Sequence, residues 1–364
     1  MRNLYKKPHI YLALLLFVVA ALFIGREFYA GGASPEIINA SRPVRIGYFH
    51  GGRVNMIYRT LIHDYFDEGG VAVELYTRFL KEEELFKVPR THRETNKMWA
   101  DDIELGNLFG KMRGTEIVDK IMAGELDGGT IGESSFIASI AKGQPIVAVA
   151  MLGYDAVPGK AIIMRSDVVI NSPDDLKGKT LISRRAGPGD AIFLREFLKD
   201  VDLVPGQDLT VIDQVDEDDA ENWLKEKKID GGLYHLTSVR HLALDGTAYV
   251  YQPMNWMDSA LSHALLVFHK DYIQNHREEV QRVVDSYVRR IAYERELPEE
   301  QKDRSWDKGL MVEGKFQGME IPSYDLPPKI RVDLLEEMQD LLLTYGEIDK
   351  TIDIRAFIDE SFVK

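Results

Sequence analysis

The stretch GELDGGTIGESSFIASIAKGQPIVAVAML, residues 124–152, contains in order a short apolar strand, a turn of small and polar residues, a small-residue helix and a second apolar strand. Strand and helix meet at Gly132-Glu133-Ser134-Ser135. A helix that begins there aims its first backbone N–H groups and two hydroxyls at whatever lies beyond the strand end.

The same alternation extends outward in both directions. VRIGYF (44–49) reads as a strand, RVNMIYRTLIHDYF (53–66) as a helix and VAVELYT (71–77) as a second strand, which together make a βαβ unit. Residues 81–114 are polar with no clean period and read as an insertion or a long loop carrying a short helix. A second alternating block begins near residue 158. There SPDDLKG (172–178) is a short helix with Ser172 as N-cap, Pro173 at its first position, Asp175 three after the cap and Gly178 past its end. KTLIS, the loop RRAGPGD, the helix AIFLREFLKD, DLTVID, the helix around AENWLKEKK, and IDGGLY follow. HALLVFHK (263–270) returns to strand. One long amphipathic helix is expected over 271–296 and another over 327–346.

Alternating strands and helices predict mostly parallel sheets, with ligands bound outside the carboxyl ends of the strands. The loops that qualify are His50-Gly51-Gly52-Arg53, Gly132-Glu133-Ser134-Ser135, the run from Arg184 to Asp190, and Tyr234-His235. Helix N-termini at 132–135 and 187–190 would suit an anionic oxygen, and Arg184 or Arg185 could add a bidentate contact. Each residue also has a plainer reading. Ser134 and Ser135 would simply cap their helix, Asp190 would cap the helix after Gly187 and Gly189, and the arginines would face solvent. His50 and His235 would be hydrogen-bonded structural residues, and Tyr154, Tyr234 and Trp256 would pack the lobes instead of stacking on a flat ligand. Glu133 opposes an anion, so it would recognise an amine or ring N–H, or point away.

Composition narrows the function. The 364-residue chain carries a formal net charge of −14, which argues against a nucleic-acid binder. It has no cysteine, so disulfides, thiolate metal sites and cysteine nucleophiles are excluded. No HExxH, GxSxG, Walker A or GxGxxG motif is present, so no cofactor is indicated. At the N-terminus, MRNLYKK precedes an uncharged run from Ile10 to Gly25. That run would span roughly 24 Å as a helix, between the lengths of a signal peptide and a membrane span. Residues 1–34 are therefore a signal peptide cleaved after Ala33, or a retained anchor with a short linker. Either would place the remainder outside the cytoplasm.

The order GTEIVDKIMAGELDGGTIGESSFIASIAKGQPIVAVA, SPDDLKGKTLISRRAGPGDAIFLREFLKDVDLVPGQDLTVID, IDGGLY and LLEEMQDLLLTYGEIDKTIDIRAFIDESFV resembles the periplasmic substrate-binding proteins of ABC importers for nitrate, alkanesulfonates, taurine and thiamine-precursor pyrimidines. The resemblance covers residues 43–364 apart from the insertion. It implies an α/β, two-lobed type II periplasmic-binding-protein fold with two hinge crossings, here preceded by the N-terminal apolar helix. Residues 43–154 and 258–364 would form one lobe and 155–257 the other. It also implies a monomer without enzymatic activity that binds a small-molecule ligand between the lobes in the periplasm and delivers it to an ABC permease. The chain departs from the family at the site itself. A proline expected after the 132–135 turn is missing, and Arg185-Ala186-Gly187-Pro188-Gly189-Asp190 replaces a hydroxyl-rich run. The fold expectation survives these departures, whereas the ligand's identity does not follow. Related enzymes on this fold rely on a cysteine-rich iron site or are cytoplasmic, and both fit poorly. A membrane-tethered sensor or interaction domain is the alternative to transport.

Overall fold

Val44–Gly47 (β1) and Val73–Phe79 (β2) run parallel in register, Val44 opposite Val73 and Ile46 opposite Leu75, and all four of these side chains are buried. The computed structural model describes residues 42–49, 52–79, 84–88, 109–110, 112–154, 159–184, 188–235, 242–243, 245–298 and 323–364. The apolar segment 10–25, most of the insertion 81–114, and His50, Gly51, Arg185 and Gly187 lie outside the described residues. Among the described residues no helix is long and apolar enough to cross a membrane.

Two sheets form the frame. The first has the order β3-β2-β1-β5-β12-β6, with β3 at Leu85–Lys87, β5 at Gly128–Gly132, β12 at His263–His269 and β6 at Ile146–Tyr154. The ends of the insertion join its edge: β3 and the short β4, Phe109–Gly110, both pair antiparallel with β2. The second sheet has the order β11-β7-β10-β8-β9, made of Ala248–Pro253, Lys160–Arg165, Gly231–His235, Thr180–Arg184 and Thr210–Val215. In each sheet three adjacent strands are parallel, β2-β1-β5 and β10-β8-β9; β12 and β7, the strands that follow the crossings, run against them, and β6 and β11, which pair antiparallel with β12 and β7, run with them. The chain leaves the first sheet between Tyr154 and Lys160 and returns between Pro253 and His263. These are the two hinge crossings of a two-lobed α/β fold.

Helices cover both sheets. Asn55–Ile62 (α1) and Tyr65–Glu68 (α2) replace the single helix expected over 53–66, because Asp64 adopts a left-handed φ of 61° that ends one helix and starts the next. Gly114–Met122 (α3) lies so close to β1 that a Cβ on Gly47 would stand 2.7 Å from the Ile117 side chain. Glu133–Ala141 (α4) follows β5, Pro188–Asp200 (α5) follows β8 and Glu217–Lys225 (α6) follows β9. The helix expected over 271–296 is divided at His276 into Lys270–Asn275 (α7) and Arg277–Glu296 (α8), with His276 at φ −133°. Val332–Thr344 (α9) begins well after Pro328 and stops before Gly346, which takes the left-handed φ of 71°. The SPDDLKG element is a 3₁₀ turn, Pro173–Leu176, and Asp175 accepts the backbone N–H of Ser172 at 3.0 Å as the spacing predicts.

Side chains on α3, α4 and α9 share one apolar cluster with α5 and with the strands beneath it. Ile117, Phe136, Ile137, Leu335 and Met338 from the first lobe's helices join Ile192, Phe193, Phe197, Leu181 and Leu233 from the second. The lobes therefore meet through an apolar seam at α5 as well as through the hinge. Polar contacts flank the seam. Arg113 pairs with Asp216 at 2.8 Å, Tyr345 bonds Glu196, and Arg195 lies 3.6 Å from Glu347.

Asp127 ties the start of β1 to the start of β5. Its buried carboxylate takes two hydrogen bonds of 2.7 Å from Arg42 and one of 2.8 Å from the Arg45 backbone N–H. Burial opposes its ionisation, but these donors outweigh burial and hold the carboxyl below its ordinary range. An Asp127→Asn protein is expected to lose about 1.5–3 kcal/mol at pH 7, the value of hydrogen bonds to a charged group. Because the folded pKa is depressed, this contribution is present above the ordinary value of 3.8 and is lost as pH falls through the lower folded value. Urea unfolding of both proteins at pH 7 and pH 3 checks it. A gap that persists unchanged at pH 3 would assign the loss to packing.

Candidate functional site

The first turn of α4 and the first turn of α5 meet between the lobes. Gly189 stands against α4 so closely that a Cβ there would lie 3.0 Å from the Ser134 hydroxyl and 3.2 Å from Glu133 Oε1. Any larger residue here would push these side chains back by a few tenths of an ångström. Ser134 and Ser135 are both buried, and Ser135 is pressed against Gly114 at the start of α3, where an added Cβ would be 2.6 Å from its Oγ.

Charged side chains surround this contact. Arg53, on the 3₁₀ turn Gly52–Val54 after β1, reaches Glu133 Oε2 at 3.2 Å and donates to Ser262 Oγ and the His263 carbonyl, each at 3.0 Å. Glu133 also accepts the His263 backbone N–H at 3.2 Å. Across the hinge, Lys160 opens β7 with a fully buried side chain. It donates to Ser262 Oγ, lies 3.6 Å from Asp190 Oδ1 and sits 4.4 Å from the centre of the Phe193 ring. Arg184, at the end of β8, donates to Asp190 Oδ2 at 2.9 Å. Ser262 is thus shared by a cation from each lobe.

Electrostatics follow from this packing. Burial opposes ionisation of Asp190, yet Arg184, Lys160 and Arg53 prevail and hold its carboxyl below the ordinary range. His263 is fully buried and pushed down by that burial, against the pull of Glu133, so its imidazole is neutral at pH 7. Its Nδ1 lies 3.1 Å from the Ala260 carbonyl and therefore carries the proton. Its Nε2 is buried without a hydrogen-bond partner among the described residues.

The sequence candidates separate on this geometry. Arg53, Glu133, Ser134, Ser135, Gly189 and Asp190 are brought together at the lobe junction, with His235 nearby as the backbone partner of Lys160 in the β10–β7 ladder. Arg184, one of the two arginines that could have contacted an anion, is buried and pairs with Asp190. Tyr234 is 1% exposed in the core on the other face of the second sheet, and its hydroxyl lies 3.4 Å from the Ala220 carbonyl. Trp256 packs on Phe197, with ring centres 5.0 Å apart, and donates to the Phe193 carbonyl. Tyr154 bonds Asp325 at 3.4 Å and pairs through its backbone with Ser323. Each of these three aromatics is engaged with other parts of the chain, Tyr234 fully buried and Tyr154 and Trp256 half-buried. Lys160, Ser262 and His263 are members of the junction that the sequence did not single out.

No curated protein sequence matches the chain. Among solved structures, the fold is similar to the alkanesulfonate-binding protein SsuA from Xanthomonas axonopodis pv. citri, with TM-score 0.57, 13% identity, and 88% of this chain and 100% of that one covered. It is similar to the periplasmic aliphatic sulphonate-binding protein SsuA from Escherichia coli, with TM-score 0.60, 16% identity and coverage of 88% and 93%. It is also similar to the desulfurization enzyme DSZB, with TM-score 0.54, 12% identity and coverage of 88% and 97%. At such identities the likeness is one of fold, and that fold carries both binding proteins and an enzyme. The sequence pattern of the NMT1/THI5-like family matches residues 108–301, more than half of the chain and most of the junction, and the chain belongs to that family.

Proposed function

We propose that this chain is an extracytoplasmic solute-binding protein that captures a small organic ligand with an anionic group and hands it to an ABC importer, without transforming it. The observation that carries this reading is the gathering of Arg53, Lys160 and Arg184 beside the first turns of two helices that face each other from opposite lobes. Family membership and the fold shared with sulfonate-binding proteins support the same reading. A ligand touching both lobes would favour the closed arrangement by its extra affinity for it. Location in the periplasm, with or without a retained anchor at residues 10–25, and work as a monomer belong to this proposal. If the anchor is retained and no importer accompanies the protein, the alternative is a tethered sensor built on the same cleft.

The test is native mass spectrometry of protein isolated from its host without refolding, followed by calorimetric titration with any ligand found. A carried organic acid that binds one-to-one is the expected result. Absence of any carried ligand, together with no binding across a panel of sulfonates and carboxylates, would overturn the proposal. N-terminal sequencing of the same preparation distinguishes cleavage after Ala33 from a retained anchor.

A further inference from the structure

Glu133 holds an unusual place for a carboxylate in a cleft proposed to take an acid. It is 3% exposed and is the first residue of α4, so its charge lies on that helix's own N-terminal end. One oxygen accepts from Arg53 Nη1 and from the His263 backbone N–H, both at 3.2 Å. The other faces the first turn of α5 on the opposite lobe, so close that a Cβ on Gly189 would stand 3.2 Å from it. A guanidinium, a backbone N–H and two converging helix N-termini are the donors that an acidic ligand joining the lobes would use. In this arrangement the chain's own carboxylate uses them.

We infer that Glu133 is a built-in counter-ion that lets the lobes close without a ligand, and that an acidic ligand must displace it from Arg53 and His263. This rests on the proposed anion-binding reading of the cleft. What carries it is that a buried carboxylate, two donors from separate elements and the opposing lobe converge on one point. Two consequences follow. The closed form is populated before ligand arrives, and affinity for acids is held below what the donors alone would supply.

The experiment uses the full-length chain and hydrogen exchange of the peptide spanning residues 261–266, which contains the His263 amide that Glu133 accepts. In Glu133→Ala that amide should exchange faster than in the wild type. Acetate or methanesulfonate in the millimolar range should slow it again, as a free acid fills the vacated position, whereas sodium chloride at equal ionic strength should not. The wild type should respond to these acids with a midpoint at least about tenfold higher. Glu133→Gln keeps the shape and an acceptor oxygen but not the charge. If the alanine protein does not fold, the same leftward shift of midpoint is expected in the glutamine protein. Exchange in Glu133→Ala identical to wild type, or equal protection of wild type and variant by the acids, would overturn the inference. The two readings fail separately. A wild type that carries an acidic ligand, with variants that ignore acetate, removes only the counter-ion role. Acid-responsive variants of a protein that carries no ligand remove only solute capture.

Discussion

Asp190→Ala is expected to destabilise the protein by about 3–5 kcal/mol at pH 7, the usual cost of removing one partner from a buried ion pair. Asp190 is 4% exposed, and both Arg184 and Lys160, which are themselves buried, turn toward it. Removing the carboxylate leaves two cations to bear their desolvation with less compensation. Asp190→Asn keeps the volume and one acceptor, so it should recover only part of the loss. A triple protein, Arg184→Met, Lys160→Met and Asp190→Leu, removes charges of both signs together and should be more stable than Asp190→Ala alone. That contrast separates uncompensated charge from lost packing. The pH dependence has a definite sign. The folded pKa lies below the ordinary 3.8, so the stabilisation is complete above that value and is lost as pH falls through the lower folded one. Wild type and Asp190→Ala should therefore converge in urea midpoint under strong acid. A loss below about 1 kcal/mol at pH 7 would mean that water reaches the pair and the junction is wetter than its burial implies.

The parts of this molecule that the sequence disclosed were those that depend on neighbours in the chain. Short apolar runs such as IVAVAML gave strands, and the Ser172 to Gly178 phrase gave a turn with its capping interaction in place. Local signals failed where a single backbone angle intervenes. Asp64 at φ 61° breaks a helix whose apolar spacing continues across the break, and His276 does the same before α8. The strands at Leu85–Lys87 and Phe109–Gly110 were invisible because two or three residues carry no period.

The junction was legible only in part, for a related reason. Glu133, Gly189 and Arg53 could be nominated because each sits where a strand gives way to a helix or turn. Lys160 and Ser262 are separated by 102 positions and Glu133 and His263 by 130, so no spacing rule could pair them. One signal was present: a lysine at the head of the apolar run KAIIMR is costly to bury unless it meets a partner. Tyr234 was ambiguous because an aromatic at a strand end satisfies both a ligand-stacking and a core pattern. Its alternation with Leu233 sends it to the face covered by α6.

Phe193→Ala is expected to cost about 3–5 kcal/mol, the range for deleting a buried aromatic side chain, and to loosen lobe closure in the same step. Phe193 is 0% exposed on α5 and follows Gly189 by four residues and precedes Glu196 by three, so the three share one stripe of the helix. Both ends of that stripe touch the first lobe: Gly189 abuts Glu133 and Ser134, and Glu196 takes a hydrogen bond from Tyr345. Truncation at its centre would open a cavity in the apolar cluster that the lobes share, and would remove the ring beneath the Lys160 ammonium. Phe193→Leu preserves most of the volume and should cost less than half as much. The two consequences call for two measurements, urea unfolding for stability and small-angle scattering below the transition for closure. If stability falls while the radius of gyration stays at the wild-type value, Phe193 supports only the second lobe. If the radius grows as stability falls, and Phe193→Leu restores both, α5 is the element through which packing inside one lobe sets how tightly it meets the other. Ligand capture at the first turn of α5 would then be coupled to the core behind it.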